Sequence, residues 1–243
     1  DIEEYKACRS ATCLKNQKLI AKSTVNRELD LLKSILARAV EWGYLKSTPA
    51  QGVRKFRIDE KEPVFLTSSQ GAVLLQAATG QMKGFIAVGL NAGLRKGEMF
   101  NLRWDDVDSE RKELRVRKSK GKRFRVIPMN KTLMDILSRH PRHIRSPHIF
   151  QNSDGSPWRD VRKGFEAALK RAGVPRIRIH DMRHSFVSNL LMQGVDVRTA
   201  KELAGHRDIS TTMKSAHLAP GHLKDSVEKL NWDQRASAEQ VGT

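Results

Sequence analysis

Cysteine is nearly missing from this chain. Cys8 and Cys13 are the two in 243 residues, close together and with no histidine beside them. That usage argues against a disulfide framework and against a zinc site, and points to a reducing compartment. Long apolar runs are absent too. No stretch approaches a membrane span, and the N-terminus lacks the pattern of a signal peptide. The expected location is therefore cytoplasmic, among the nucleoid if the host is a prokaryote, and no membrane partner is expected. Acidic residues are scarce relative to basic ones: 27 Asp and Glu face 45 Lys and Arg, a formal net charge of +18. Solubility does not require such an excess, so a polyanion is the natural partner. Tyrosine occurs twice, at Tyr5 and Tyr44. There is no internal repeat and no low-complexity tract.

What is present divides the chain into two units. Residues 23–43 read as an amphipathic helix: Leu29, Leu32, Leu36 and Ala39 recur at helical steps, Ser23 or Thr24 is placed to cap it, and Gly43 to stop it. The chain opens without a complete helical unit before residue 5, so this first domain is expected to begin partway through. The stretch 47–63 is polar, carries Pro49, Gly52 and Pro63, and reads as a linker. The expected boundaries are a partial helical domain at 1–57, a linker at 58–65, a second domain at 66–232 and a flexible tail at 233–243. The second domain opens on a capping box, Thr67-Ser-Ser-Gln70, followed by helices near 81–92 and 96–102. The period then changes to two. Leu114 and Val116 alternate with Arg115 and Arg117, and after a turn at 119–122, Phe124 and Val126 alternate with Arg123 and Arg125. This predicts a hairpin with one apolar and one basic face. Helical patterns return at 131–139, 159–172, 181–193 and 197–204, and weakly at 209–218 and 221–230. The fold class is thus mainly α with a small antiparallel β-sheet (α+β).

The chemistry concentrates in two places. Gly93-Leu-Arg95-Lys-Gly-Glu98 puts an arginine just past a glycine turn, with Glu98 one helical turn on to orient it. His180-Asp-Met-Arg183-His184 puts a histidine and an arginine on one face at a helix start, where unpaired N–H groups favour an anion. A second histidine follows at Gly205-His206. Two arginine forks on one phosphodiester would stabilise the extra charge of a pentacoordinate transition state. No carboxylate cluster is available for a metal, so neither metal nor cofactor is expected. Each residue alone has a plainer explanation. A lone arginine on so basic a chain is ordinarily a solvated charge, and His180, His184, His206 and His217 are individually unremarkable as capping, packing or turn residues. The case rests on the ensemble and its spacing.

These two segments resemble the two signature boxes of the tyrosine recombinase, or phage integrase, family: Gly93 through Trp104-Asp-Asp-Val-Asp108, and His180 through His206. The run Lys118-Ser-Lys120-Gly-Lys122 before Arg125-Val-Ile-Pro128 resembles that family's lysine-bearing β-turn. Lys120, eight residues before Pro128, is the match to the lysine, with Lys118 and Lys122 as competitors. The helix 23–43 resembles the end of the family's N-terminal core-binding domain. The resemblance implies that Arg95, His180, Arg183 and His206 surround a scissile phosphate and that Lys120 protonates the leaving 5′-hydroxyl oxygen. It implies a double-stranded DNA recombination site as partner, with Arg115, Arg117, Lys118, Lys122 and Arg123 as DNA-binding residues. It further implies a homotetramer on two paired sites, from a chain that is monomeric without DNA, and a C-terminal segment (here 221–243) that docks on a neighbouring protomer.

One position departs from the pattern. Thr211-Thr212-Met-Lys-Ser215-Ala-His217 matches the family's terminal motif except at Ser215, where the tyrosine nucleophile belongs. A serine hydroxyl extends about 2.4 Å from Cα, against roughly 6.5 Å for a phenol, and falls short of attack distance. Its alcohol is also far less acidic than a phenol. The expectation is a chain that binds DNA and does not cleave it efficiently. Both a substitution made to trap a complex and a natural cleavage-dead relative stay open. So, on sequence, do a basic regulator in which 181–193 and 197–204 mimic a helix-turn-helix and a type IB topoisomerase-like relaxase. A regulator, however, has no use for the convergence of Arg95, Lys120, His180 and Arg183.

Overall fold

The computed structural model describes residues 1–13, 17–58, 64–117, 125–144, 146–206 and 208–216, the side chains of 214–216 excepted. The expected 119–122 turn, the 221–230 helix and the 233–243 tail lie outside the described residues, as do Lys118, Lys120, Lys122 and Arg123. The chain splits into two compact units, Asp1–Glu62 and Pro63–Thr243.

In the first unit, α1 (Ile2–Ala11) is closed by a capping box from Asp1 to Glu4. It has no apolar stripe, which is why periodicity does not reveal it. Helix α2 (Lys22–Glu41) follows. Its N-cap is Ala21, without a side-chain bond, so the expected Ser23 or Thr24 cap does not form; the helix begins ahead of both hydroxyls. At the other end Gly43 turns left-handed at φ 78, and the Tyr44 amide reaches back to the Ala39 carbonyl at 2.8 Å. Ile20, Val25 and Leu29 form a small core onto which Ile2, Val53 and Phe56 pack. Asn26 holds residue 56 with a reciprocal pair of bonds, 2.9 Å to the Phe56 carbonyl and 2.8 Å from its amide. Residues 53–56, inside the stretch read as a linker, thus belong to the packing of this unit.

The second unit is mainly helical and carries a three-stranded antiparallel sheet ordered β1-β2-β3 (Val107–Asp108, Glu113–Val116, Arg125–Pro128). Thr67 caps α3 (Ser68–Ala77) through the expected box with Gln70. At the centre lies α4 (Gly80–Ala92), against which α3, α6 (Lys131–Ser138), α7 (Arg162–Ala172) and α8 (Asp181–Met192) pack. Phe85, Ile86, Leu74, Leu114, Ile127, Leu133, Phe150 and Met182 fill the core. Gly89 lets α8 approach: a Cβ there would come within 2.7 Å of the Met182 methyl. That close approach sets the end of α4 beside the start of α8, the two places that carry the arginines. Helix α9 (Val197–Ala204) closes over α8 through Phe186, Val187, Leu191, Ala200 and Ala204, and α10 (Ile209–Ala216) packs on both.

The hairpin forms with a different phase from the expected one. Leu114 pairs with Ile127 and Val116 with Arg125. Ile127 is therefore buried, Val126 faces out at 40% exposure, and Arg125 turns inward. The expected separation into an apolar and a basic face does not hold for β3, because residues 125 and 127 share the side that the core demands for Ile127.

Candidate active site

Short local interactions build each half of the site. Gly93 ends α4 in the left-handed region at φ 59, and buried Leu94 anchors the turn. The Arg95 amide then donates to Glu98 Oε2 at 2.8 Å, opening α5 (Lys96–Phe100). In the other half, buried Asp181 accepts the Arg178 amide at 2.7 Å and closes the turn that presents His180 at the head of α8. Gly205, at φ 66, ends α9 and hands the chain to His206.

The halves meet through arginines. Arg95 Nη1 donates to Glu98 at 3.1 Å, and its Nη2 donates to the Gly205 carbonyl at 2.9 Å. Arg183 is 2% exposed. Its Nη1 donates to the Gly93 carbonyl at 2.8 Å and its Nε to His206 Nε2 at 3.2 Å. Arg125, which sequence reasoning placed on an outer basic face, is a third member. Its two terminal nitrogens donate to both Glu98 oxygens at 3.0 and 2.9 Å. It fits because Gly205 has no side chain: a Cβ there would lie 2.9 Å from Arg125 Cδ. The signal that could have found it is the phase of β3, fixed by Ile127 and not by Val126. Thr212 on α10 was also missed. It is fully buried, and its hydroxyl lies 2.8 Å from His206 Nδ1.

The electrostatics follow from this packing. Burial alone would raise the Glu98 carboxyl, but the hydrogen bonds and charges of Arg125 and Arg95 outweigh it and bring the pKa to about 2. Desolvation and the Arg95 and Arg125 charges push Arg183 down to about 9, which leaves it protonated at neutral pH. The same causes, desolvation first and then Arg183 and Arg95, lower His206 to about 4. His180, exposed at the head of α8, and the partly buried His184 are lowered as well, by desolvation and nearby positive charge. Their rings meet edge to face at 5.1 Å. With neutral histidines, three guanidinium groups against one carboxylate leave a local charge of +2. Two buried donors there, Arg183 Nη2 and Arg125 Nε, have no partner among the described residues. An unpaired buried guanidinium nitrogen is costly, and an anionic oxygen would satisfy it.

An open cleft lined by Arg95, Glu98, Arg103, Asp106, Arg117 and His148 adjoins the cluster. Arg117 pairs there with Asp106, and Arg115 pairs with Asp108 at 2.9 Å. Ser215 lies on α10, one turn beyond Thr212. Among the described residues no group of three His, Cys, Asp or Glu side chains gathers as a metal site would need, and no helix is long and apolar enough to cross a membrane.

Residues 64–222, which include both arginine segments and the histidine after α9, match the model of the phage integrase family. The chain belongs to that family. It is 32% identical over 215 residues to the tyrosine recombinase XerA of Pyrococcus horikoshii, covering 84% of this chain and 73% of that one. It is 29% identical over 229 residues to the tyrosine recombinase XerC of Thermodesulfovibrio yellowstonii, covering 86% and 76%. Against the integrase of Salmonella phage P22 it is 28% identical and spans 58% of that protein's length. Among solved structures, the Tn1549 transposon integrase in complex with transposon right end DNA superposes with a TM-score of 0.74 at 21% identity, over 94% of this chain and 84% of that one. A crystal structure of XerA recombinase gives 0.63 at 23%, over 95% and 82%. At these identities the structural likeness speaks to the fold, which is that of the integrase-family catalytic domain.

Proposed function

We propose that this integrase-family chain acts on a double-stranded DNA recombination site. In its tyrosine-bearing form it would cut and rejoin DNA through a 3′-phosphotyrosyl link; as written, with Ser215, it binds DNA and does not cleave it efficiently. The observation that carries this reading is the +2 cluster of Arg95, Arg125, Arg183 and Glu98, with an Arg183 nitrogen that no described residue pairs. A phosphodiester carries one negative charge and its pentacoordinate transition state two, so a fixed +2 site favours the latter. In this reading Arg95 and Arg183 hold the non-bridging oxygens, with His180 and His206 beside them. Lys120 delivers the proton to the leaving 5′-oxygen. The energy of the broken phosphodiester stays in the covalent link, so no nucleotide cofactor is needed.

Residues 1–57 would supply the helical half of a DNA clamp, joined by 58–65 to the catalytic domain at 66–232. Two paired sites would engage four protomers, and the unliganded chain would be a monomer. Ser215 itself favours a second reading, a naturally cleavage-dead relative that works as a DNA-binding protein. The test compares the chain with its Ser215→Tyr variant on supercoiled plasmid carrying the DNA that flanks its gene. Reactions are denatured and resolved on a gel. Covalent protein–DNA adducts from the tyrosine form alone are expected. Adducts from neither form, despite tight salt-sensitive binding, would overturn the catalytic assignment.

A further inference from the structure

A guanidinium nitrogen donates hydrogen bonds and accepts none. Because Arg183 Nε lies 3.2 Å from His206 Nε2, that ring nitrogen presents its lone pair. Desolvation and the charges of Arg183, Arg95, His184 and His180 keep the ring neutral at pH 7, so its single proton sits on Nδ1. Nδ1 lies 2.8 Å from the Thr212 hydroxyl, which therefore accepts. A directed chain of bonds runs from Arg183 through His206 to Thr212. It crosses from α8 to α10 by way of the residue that follows α9.

We propose that Thr212 is a positioning residue. Its hydroxyl fixes the Nδ1–H tautomer of His206 and, through it, the guanidinium orientation of Arg183 that leaves Nη2 unpaired. Two features support this. Thr212 is fully buried, so no water competes for the ring proton, and losing the hydroxyl strands Nδ1–H without a partner. Thr212 also lies one helical turn before position 215 on α10. Seating α10 and arming Arg183 are then one event: a displaced α10 takes the acceptor away from His206 and leaves Arg183 held by the Gly93 carbonyl alone. The functional meaning rests on the reading that this cluster grips a phosphoryl group; the geometry itself does not.

The experiment uses the full chain labelled with ¹⁵N and follows the His206 ring nitrogens and the solvent exchange of the Arg183 Nε proton by NMR. The chain as written is compared with Thr212→Ser and Thr212→Val. Expected for the first two are a protonated Nδ1, a bare Nε2 and a protected Arg183 Nε proton. Thr212→Val should speed that proton's exchange about tenfold or more while the amide spectrum elsewhere is kept. A protonated Nε2 in the chain as written overturns the proposal, and so does a Thr212→Val protein with unchanged exchange. If Thr212→Val does not fold, the tautomer in the chain as written and in Thr212→Ser decides. A protein that meets these expectations yet ignores added orthovanadate would retain the positioning role and lose the proposed function.

Discussion

Replacing Glu98 by glutamine removes the one negative charge among three guanidinium groups. The carboxyl stands near pKa 2 in the fold against an ordinary 4.5. At 1.36 kcal/mol per unit, that difference corresponds to about 3 kcal/mol of stabilisation of its ionised form. Its side chain is 14% exposed, so solvent screens little of this, and breaking a buried ion cluster by removing one partner costs a similar amount. For a unit of this size about 3 kcal/mol lowers the melting temperature by roughly 6–12 °C. The neutral amide also leaves the site at +3, which an anion relieves. Thermal unfolding of Glu98→Gln should therefore be rescued by added phosphate more than by chloride of equal ionic strength, and rescued more than the parent chain is. A loss under about 2 °C, or equal recovery in phosphate and chloride, would refute the reasoning.

Two further outcomes follow from the same packing. Gly205→Ala imposes a side chain at φ 66 and at 2.9 Å from Arg125 Cδ; it should cost about 2–3 kcal/mol in urea unfolding, and an unchanged midpoint would contradict the Arg125 geometry. His206 is held near pKa 4, below its ordinary 6.5, and His140, His148, His180 and His184 are lowered too. As pH falls from about 6.5 towards 4 the unfolded chain takes up protons first, so stability present above 6.5 is lost across that window. His206 alone should contribute about 1–2 kcal/mol after screening, read as falling urea midpoints at pH 7.5, 6 and 4.5, and a flat profile would contradict its burial.

Much of the fold was legible because local chemistry wrote it. Gly43, Gly93 and Gly205 end helices in left-handed turns, the Thr67–Gln70 box starts one, and the spacing of Leu29, Leu32 and Leu36 marks the inner stripe of α2. What failed was whatever tertiary pairing decides. Helix α1 stands on a cap and an Arg9–Glu28 ion pair at 2.8 Å, neither of which has a period. The phase of β3 depends on its register with Leu114, so Arg125 read as an outward basic residue when it faces Glu98. Arg95, Arg183, Glu98 and His206 were visible as a set because glycine turns and a helix start aim them. Thr212 stood in the matched terminal motif, but its contact with His206 did not show, since nothing in the order of residues pairs a buried hydroxyl with a histidine.

The most direct measurement is calorimetric titration of orthovanadate, a tetrahedral phosphate analogue, into the chain as written and into Arg183→Gln. It needs neither DNA nor a nucleophile. The account predicts saturable one-to-one binding that Arg183→Gln abolishes. Binding that survives Arg183→Gln unchanged, or no binding to the parent chain, would contradict the claim that this cluster is preformed for a phosphoryl group.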